Sequence, residues 1–308
     1  MSSARAQRTR VARAAVSGVL LVAILGWLDP AAVAGQVRGV APAWLAAALA
    51  ASTLQFALAA ERWHRTAGSL GVPLARRRAL ADYYLAGFGN QVLPGGVVGD
   101  AARAWRHSHT SGRPGPAVRA VVLERASGQA VVAASLAGVL AFTDPGARLL
   151  GAVPGYPAAA AVMAVAAVVC AVALAWRAGR LPAWLTTLAA DARRALLGRR
   201  AWPLQLALSL AVLATCCVMF ASAGRMIGVE LPFGVLFALA PAVLVAMLIP
   251  ISVAGWGVRE FAAAGIWSAL GWPAAEGVAV SIAYGALCLL GSLPGALVAA
   301  AEPMRRSG

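Results

Sequence analysis

Six stretches of this chain, at about 13–28, 43–60, 118–142, 156–176, 202–223 and 275–300, are apolar over close to the length a helix needs to cross a bilayer. About 20 helical residues cover roughly 30 Å of hydrocarbon. A helix is what such a run must form, because the bilayer core holds no water to satisfy exposed backbone N–H and C=O groups. Composition agrees. Hydrophobic residues make up 61% of the chain and charged residues 12%, against about 25% charged in ordinary soluble domains. A soluble fold of this size could not cover its surface with so few charges. The sequence therefore predicts one all-α integral membrane domain, residues 1–308.

The formal charge of +15 is carried by arginine, since the chain contains no lysine. Those arginines cluster at the ends of apolar runs, which argues for loops facing anionic lipid headgroups rather than for nucleic acid. Arg5, Arg8, Arg10 and Arg13 precede the first span. Arg62, Arg65 and Arg76 to Arg78 follow the second, and Arg103, Arg106, Arg113 and Arg119 lead into the third. Arg177, Arg180, Arg193, Arg194, Arg199 and Arg200 follow the fourth, and Arg305 and Arg306 end the chain. The alternate loops hold only Arg38, Arg148 and Arg225. This distribution predicts a multi-pass protein of the cell membrane with both termini cytoplasmic. The first span, followed by Ala32-Val33-Ala34-Gly35, has the outline of a signal peptide, but the symmetry below requires that it stay. Cys170, Cys216, Cys217 and Cys288 lie inside apolar runs without disulfide or metal spacing.

Two apolar segments are too broken to cross. Ala79 to Trp105 is interrupted by Leu93-Pro94-Gly95-Gly96, and Phe233 to Leu270 by Ile249-Pro250-Ile251-Ser252 and Gly255-Trp256-Gly257. The arginine polarity requires each to return to its own side. Both are read as re-entrant helical hairpins with Pro/Gly tips, which the membrane tolerates where the tip is buried in protein or lines a wet cavity. The order in each half is then span, span, hairpin, span. An odd number of crossings inverts the second half, so 13–142 and 156–301 are expected to form an inverted repeat, the arrangement that places a transporter's site at the broken helices.

The motif Gly89-Asn90-Gln91-Val92-Leu93-Pro94-Gly95-Gly96-Val97-Val98-Gly99-Asp100-Ala101-Ala102-Arg103 resembles the signature of the lysylphosphatidylglycerol synthase transmembrane-region family of flippase-like proteins. Glu61-Arg62-Trp63, Leu123-Glu124-Arg125 and the stretch from Ile249-Pro250 to Gly257-Val258-Arg259-Glu260 are similar to that family's other landmarks, in the same order, so the likeness covers about 14–301. It implies an eight-segment membrane domain with re-entrant elements, associated with moving or presenting polar lipids between leaflets. Two departures matter. The soluble aminoacyl-tRNA-using domain of the full synthase has no counterpart here, the longest non-membrane stretch being about 25 residues, Arg177 to Ala201. Ser127, Gly128 and Gln129 follow Leu-Glu-Arg where the family often has an acid.

Charges within a membrane are functional candidates by default, because they are costly. Asp100, Arg103, Glu124, Arg125, Arg259 and Glu260 are those candidates. Arginine suits a lipid phosphate because its planar fork donates two parallel hydrogen bonds, so Arg103 and Arg259 are expected to hold a headgroup from the two hairpins. Gly95, Gly96, Gly99, Gly255 and Gly257 would admit the headgroup closely and leave free N–H groups at the half-helix starts. Asn90 reads as a cap at the tip, and Pro94 and Pro250 as helix ends. The competing reading of the same set is a structural ion-pair network that pins the hairpins, with snorkelling a rival for Glu124 and Arg125. Arg62 and Trp63 read as interface anchors. His107 and His109 have metal-compatible spacing but no acidic neighbours.

Enzyme motifs are lacking. A P-loop needs its lysine, and neither H-E-x-x-H nor G-x-S-x-G occurs, so no cofactor and no metal are expected. The leading expectation is a lipid flippase with a membrane lipid as substrate and a partner enzyme of lipid or glycan synthesis. A membrane glycosyl- or acyl-transferase using Asp100 or Glu260 as base, or a scaffold subunit, are the rivals. The topology predicts that reporter fusions after Arg194 and after Met304 read cytoplasmic and one near Gly146 reads external; an external C-terminus would overturn the inverted arrangement.

Overall fold

The computed structural model describes residues 31, 35, 39–93, 97–152, 182–199, 201–247 and 254–301. The runs at 13–28 and 156–176, and the tip residues Pro94, Gly95, Gly96 and Pro250, lie outside them. Among the described residues the regular structure is all helical: α1 Pro42–Ser69, α2 Arg76–Val92, α3 Val98–Ser111, α4 Pro114–Phe142, α5 Asp144–Ala152, α6 Ala183–Ala195, α7 Trp202–Met226, α8 Phe233–Ala246, α9 Val258–Ala269, α10 Ala274–Ser292 and α11 Pro294–Ala301. Four stretches are long and apolar enough to cross a membrane: α1, α4, α7, and α10 continued into α11.

Helix α1 runs antiparallel to α7. The Ala41 N–H donates to the Met226 carbonyl at 2.9 Å at one end, and Gln205 Nε2 donates to Thr66 Oγ1 at 2.9 Å toward the other. Small residues are buried along both helices, Ala48, Ala51, Ser52, Ala59 and Ala60 on α1 and Ala221, Ser222, Ala223 and Gly224 on α7, with Ser52 also against Gly291 of α10 and Gly224 against Leu236 of α8 and Val280 of α10. Where lipid replaces water there is little hydrophobic gain in helix association, and close backbone approach is what small residues supply.

The two broken segments fold back on themselves or on a neighbour. Helix α3 returns along α2: Arg106 Nε donates to Asp82 Oδ1 at 2.9 Å at the open end, and Asn90 Nδ2 to Asp100 Oδ2 at 3.0 Å near the break. Between them a Cβ on Gly99 would overlap the Ala86 carbonyl, so this approach requires glycine. Helix α9 pairs antiparallel with α10 through Trp267 Nε1 to Glu276 Oε1 at 3.0 Å and Arg259 Nε to Ser281 Oγ at 2.9 Å. Helix α11 lies on α2, with Gly295 against the Tyr84 carbonyl.

The two halves share their helix ends. Helix α1 stops at Leu70-Gly71-Val72 and α7 at Ile227-Gly228-Val229, each with its glycine at positive φ (71° and 89°). In both, the valine N–H donates five residues back, Val72 to Ala67 at 3.1 Å and Val229 to Gly224 at 3.0 Å. Such a left-handed stop satisfies orphan carbonyls and favours glycine. Helices α3 and α9 likewise end on positive-φ Gly112 and Gly271, each with a proline two residues on, Pro114 and Pro273. The largest apolar cluster joins α7, α8, α9 and α10; a second, around Trp63, Leu70, Val72 and Ala120, is closed by α6, which Arg119 ties down through Asp191 at 2.6 Å.

Gly99→Ala should lower the thermal midpoint of the purified protein, by the equivalent of about 1–3 kcal/mol or more for an overpacked contact. Gly138→Ala, with open space around its Cα, should not. Equal midpoints would contradict the close α2–α3 approach.

Candidate functional site

Five charged side chains from three helices, α1, α3 and α4, converge with Tyr83 and Asn90 of α2 where the four helices meet. Glu124, fully enclosed on α4, is the centre. Its Oε1 accepts from Arg62 Nε of α1 at 3.0 Å and, with longer geometry, from the Tyr83 hydroxyl of α2 at 3.2 Å; its Oε2 accepts from Arg103 Nη2 of α3 at 2.7 Å. Arg62 also donates to Ser209 Oγ on α7 at 3.1 Å. The Arg103 guanidinium lies 4.8 Å from the Trp63 ring centroid and 4.4 Å from that of Tyr83, so two aromatic rings are within cation–π reach, an arrangement that stabilises a desolvated cation.

Asp100 extends the network outward. Its Oδ1 accepts from Arg103 Nε at 2.8 Å, and its Oδ2 accepts from Asn90 Nδ2 and from Arg125 Nε at 2.8 Å. Asn90 in turn accepts the Gly99 N–H at 2.8 Å, capping the first turn of α3 from the opposite arm. Three guanidinium groups, Arg62, Arg103 and Arg125, face two carboxylates, Asp100 and Glu124. The ionised set carries one net positive charge.

The second node is smaller and neutral. At the start of α9, Arg259 Nη2 donates to Glu260 Oε1 at 2.7 Å, and the Ser281 hydroxyl donates to the same oxygen at 2.9 Å. Glu260 Oε2 accepts the Gly257 N–H at 2.6 Å, closing the helix start on itself. Arg259 sits 5.0 Å from the Trp256 ring and 5.4 Å from the Tyr284 ring. In both nodes an acid at the third helical position pairs with an arginine of its own helix, and that arginine meets two aromatic rings. The local backbone of the second node is turned: Ala254, Gly255 and Gly257 all have positive φ.

A cavity of about 680 Å³ opens between the two nodes. Asn90, Asp100 and Arg125 give it a charged wall, Gln55, Tyr83 and Gln129 add polar groups, and Met247, Gly255, Tyr284 and Cys288 come from the other half. Of the residues singled out from sequence, Asn90, Asp100, Arg125 and Gly255 therefore line one space. Arg103 and Arg259, expected to reach a headgroup from both hairpins, are each 1% exposed, held by their own acids and rings, and absent from the cavity wall. Glu124 and Glu260 are equally enclosed, and Glu124 does not snorkel. Gly99 is used in helix packing and Gly257 in a helix start. Arg62 and Trp63, expected as interface anchors, are buried instead, 4% and 0% exposed, because α1 continues past them for another turn and a half and Glu124 and Arg103 take up their polar and aromatic groups. His107 donates through Nε2 to the Val72 carbonyl at 3.1 Å, and His109 meets the Trp105 ring edge-on, with centroids 4.4 Å apart.

Sequence reading missed Tyr83, Gln55, Gln129, Ser209, Ser281 and Tyr284. Tyr83 carries one usable signal. With Ala86, Gly87 and Asn90 it forms a three-to-four-residue spacing that puts it on the Asn90 face of α2. Ser209 and Ser281 carry none, since isolated serines in apolar helices are common.

An all-helical body with four bilayer-length apolar helices and buried ion pairs is a multi-pass membrane protein. The sequence profile described as "Lysylphosphatidylglycerol synthase TM region" matches residues 10–295, and the chain belongs to that family. Comparison with curated proteins and with solved structures gives no match.

Removing one member of a buried pair leaves its partner's charge uncompensated, at a cost of about 3–5 kcal/mol. Glu124→Gln should therefore depress the thermal midpoint strongly, and Arg62→Gln added to it should recover part of the loss. A double variant no more stable than Glu124→Gln alone would contradict the hub assigned to Glu124.

Proposed function

We propose that this protein is a flippase-like lipid transporter that translocates or presents an amphiphile with an anionic or zwitterionic headgroup between bilayer leaflets. The observation that carries the reading is the Asp100–Arg125 pair on the wall of a 680 Å³ cavity. A charged wall inside a membrane protein is expensive, roughly 2.5–3.5 kcal/mol per charge on insertion scales, and a headgroup with charge of its own offsets that cost. The net positive charge of the first node favours a phosphate, while Asp100 faces any ammonium group. Family membership points to lipid chemistry of the same kind.

The topology that serves this function has six membrane crossings, with α2–α3 and the α8–α9 segment as re-entrant elements, both termini in the cytoplasm and residence in the cell membrane. The halves 13–142 and 156–301 form an inverted repeat, supported by the antiparallel α1–α7 pair and by the shared glycine stops at Gly71 and Gly228 and at Gly112 and Gly271. An enzyme of lipid or glycan synthesis supplies or consumes the transported lipid. A membrane-embedded transferase is a second reading, favoured by the one carboxylate, Asp100, that faces the cavity.

Reconstitution separates these readings. In proteoliposomes containing headgroup-labelled phosphatidylglycerol or phosphatidylethanolamine, a membrane-impermeant quencher should reach the inner-leaflet label, and a neutral glycolipid label should remain protected. Protection equal to that in protein-free vesicles for every lipid would contradict transport. Appearance of a new lipid product with donor present would establish the transferase.

A further inference from the structure

The cavity wall is not uniformly enclosed. On the sides formed by α1, α7 and α10 its lining includes Ser52, Met219, Tyr284 and Ser292, none more than 3% exposed. Among the described residues, every lining residue that is exposed belongs to the start of α3 or to α4: Val97, Ala101, Val118, Val122, Ala126 and Gln129. Val97 is 51% exposed, and Val118 and Val122 are each 45% exposed. The α4 members recur at intervals of three or four residues, so they form one stripe on one face.

That stripe changes character along its length. Val118 and Val122 are apolar, and Arg125 and Gln129 are polar. Eleven residues separate its ends, about 16 Å at 1.5 Å per residue, or half of a hydrocarbon core of roughly 30 Å. From α3 the same lining takes Ala101, which is exposed, and Ala104; their small side chains narrow the opening little. These exposed residues line the same cavity as Asp100 and Arg125.

We infer that the α3–α4 seam is the lateral portal of the cavity, and that the occupant of its apolar part is an acyl chain of the lipid whose headgroup lies at Asp100 and Arg125. This rests on the lipid-transport reading. The chemistry matches at each end: a charged headgroup meets the ion pair, and a hydrocarbon chain meets valine and alanine on a face already turned outward. A water-soluble ligand would gain nothing from that apolar wall, and a wholly apolar one would leave the ion pair without a partner.

The test places the photoreactive residue p-benzoylphenylalanine at Val122 or, as a control, at Leu210, an exposed α7 residue outside the cavity lining. The protein is held in phosphatidylcholine vesicles with a trace of labelled phosphatidylglycerol. At Val122 the phosphatidylglycerol adduct should exceed its share of bulk lipid by about tenfold, the preference that 1.4 kcal/mol gives; at Leu210 it should equal that share. Ala126→Trp, which fills the opening, should abolish the enrichment at Val122 and slow translocation in a folded protein. Bulk-level adducts at both positions, with phosphatidylglycerol still translocated, would overturn the portal and leave the transport reading standing. No translocation by the wild-type protein would remove both. Adducts at Val122 to another segment of this chain would show the seam to be covered, and would also overturn the portal.

Discussion

A carboxylate enclosed among helices of a membrane protein can stay ionised only if positive charge is brought to it. Glu124 is such a group, and the arrangement of the first half follows from what it collects. Arg62 comes from α1, Arg103 from α3, and the Tyr83 hydroxyl from α2. The bilayer offers no water to any of these groups if a helix moves away, so each is bound to the same place by the cost of leaving it unpaired. The antiparallel α1–α7 pair then carries this node into the second half through the Arg62 to Ser209 hydrogen bond. Polar pairing sets which helices meet, and alanine and glycine set how closely.

The division of labour among the arginines follows from the same arithmetic. Arg103 and Arg259 each lie against two aromatic rings and pair with buried acids, Arg103 with Asp100 and with Glu124 of α4, Arg259 with Glu260. Both guanidinium groups are 1% exposed and lie off the cavity wall, and Arg103 Nη1 has no hydrogen-bond partner among the described residues. Asp100 differs because one of its oxygens serves the inner network and the other faces Asn90, Arg125 and the cavity. The site is thus a rigid inner lattice with a charged outer edge. In the proposed reading it is the outer edge that exchanges a protein partner for a headgroup.

How much of this was legible depends on sequence distance. Apolar runs of bilayer length marked α1, α4, α7 and the α10–α11 stretch, because hydropathy is a local property. The breaks at Pro94 and at Gly255-Trp256-Gly257 marked the folded-back segments for the same reason. The Asp100–Arg103 pair, three residues apart on a helix, was also readable. The Arg62–Glu124 pair was not. Its members lie 62 positions apart, and a charged Glu61-Arg62 reads locally as the end of a span rather than as a buried strut. Arg103 and Arg259 were placed in the right neighbourhood but assigned the ligand's side of it, since a sequence gives no sign of which face of a short helix turns inward. Arg125, which lines the cavity, shared with Glu124 the rival reading of snorkelling, because a charge near a predicted helix end is most simply read that way.

The central claim is that charge on the cavity edge serves the lipid while charge in the interior holds the helices. Arg125→Gln addresses it most directly, because Arg125 meets Asp100 on the cavity wall and its loss brings the five-residue node from one net positive charge to none. The measurement is the translocation rate of labelled phosphatidylglycerol in proteoliposomes, normalised to folded protein. The account predicts a variant with a thermal midpoint close to that of the wild type and a rate at least tenfold lower, the effect of about 1.4 kcal/mol of lost interaction. A folded Arg125→Gln protein that moves the lipid at the wild-type rate would contradict it.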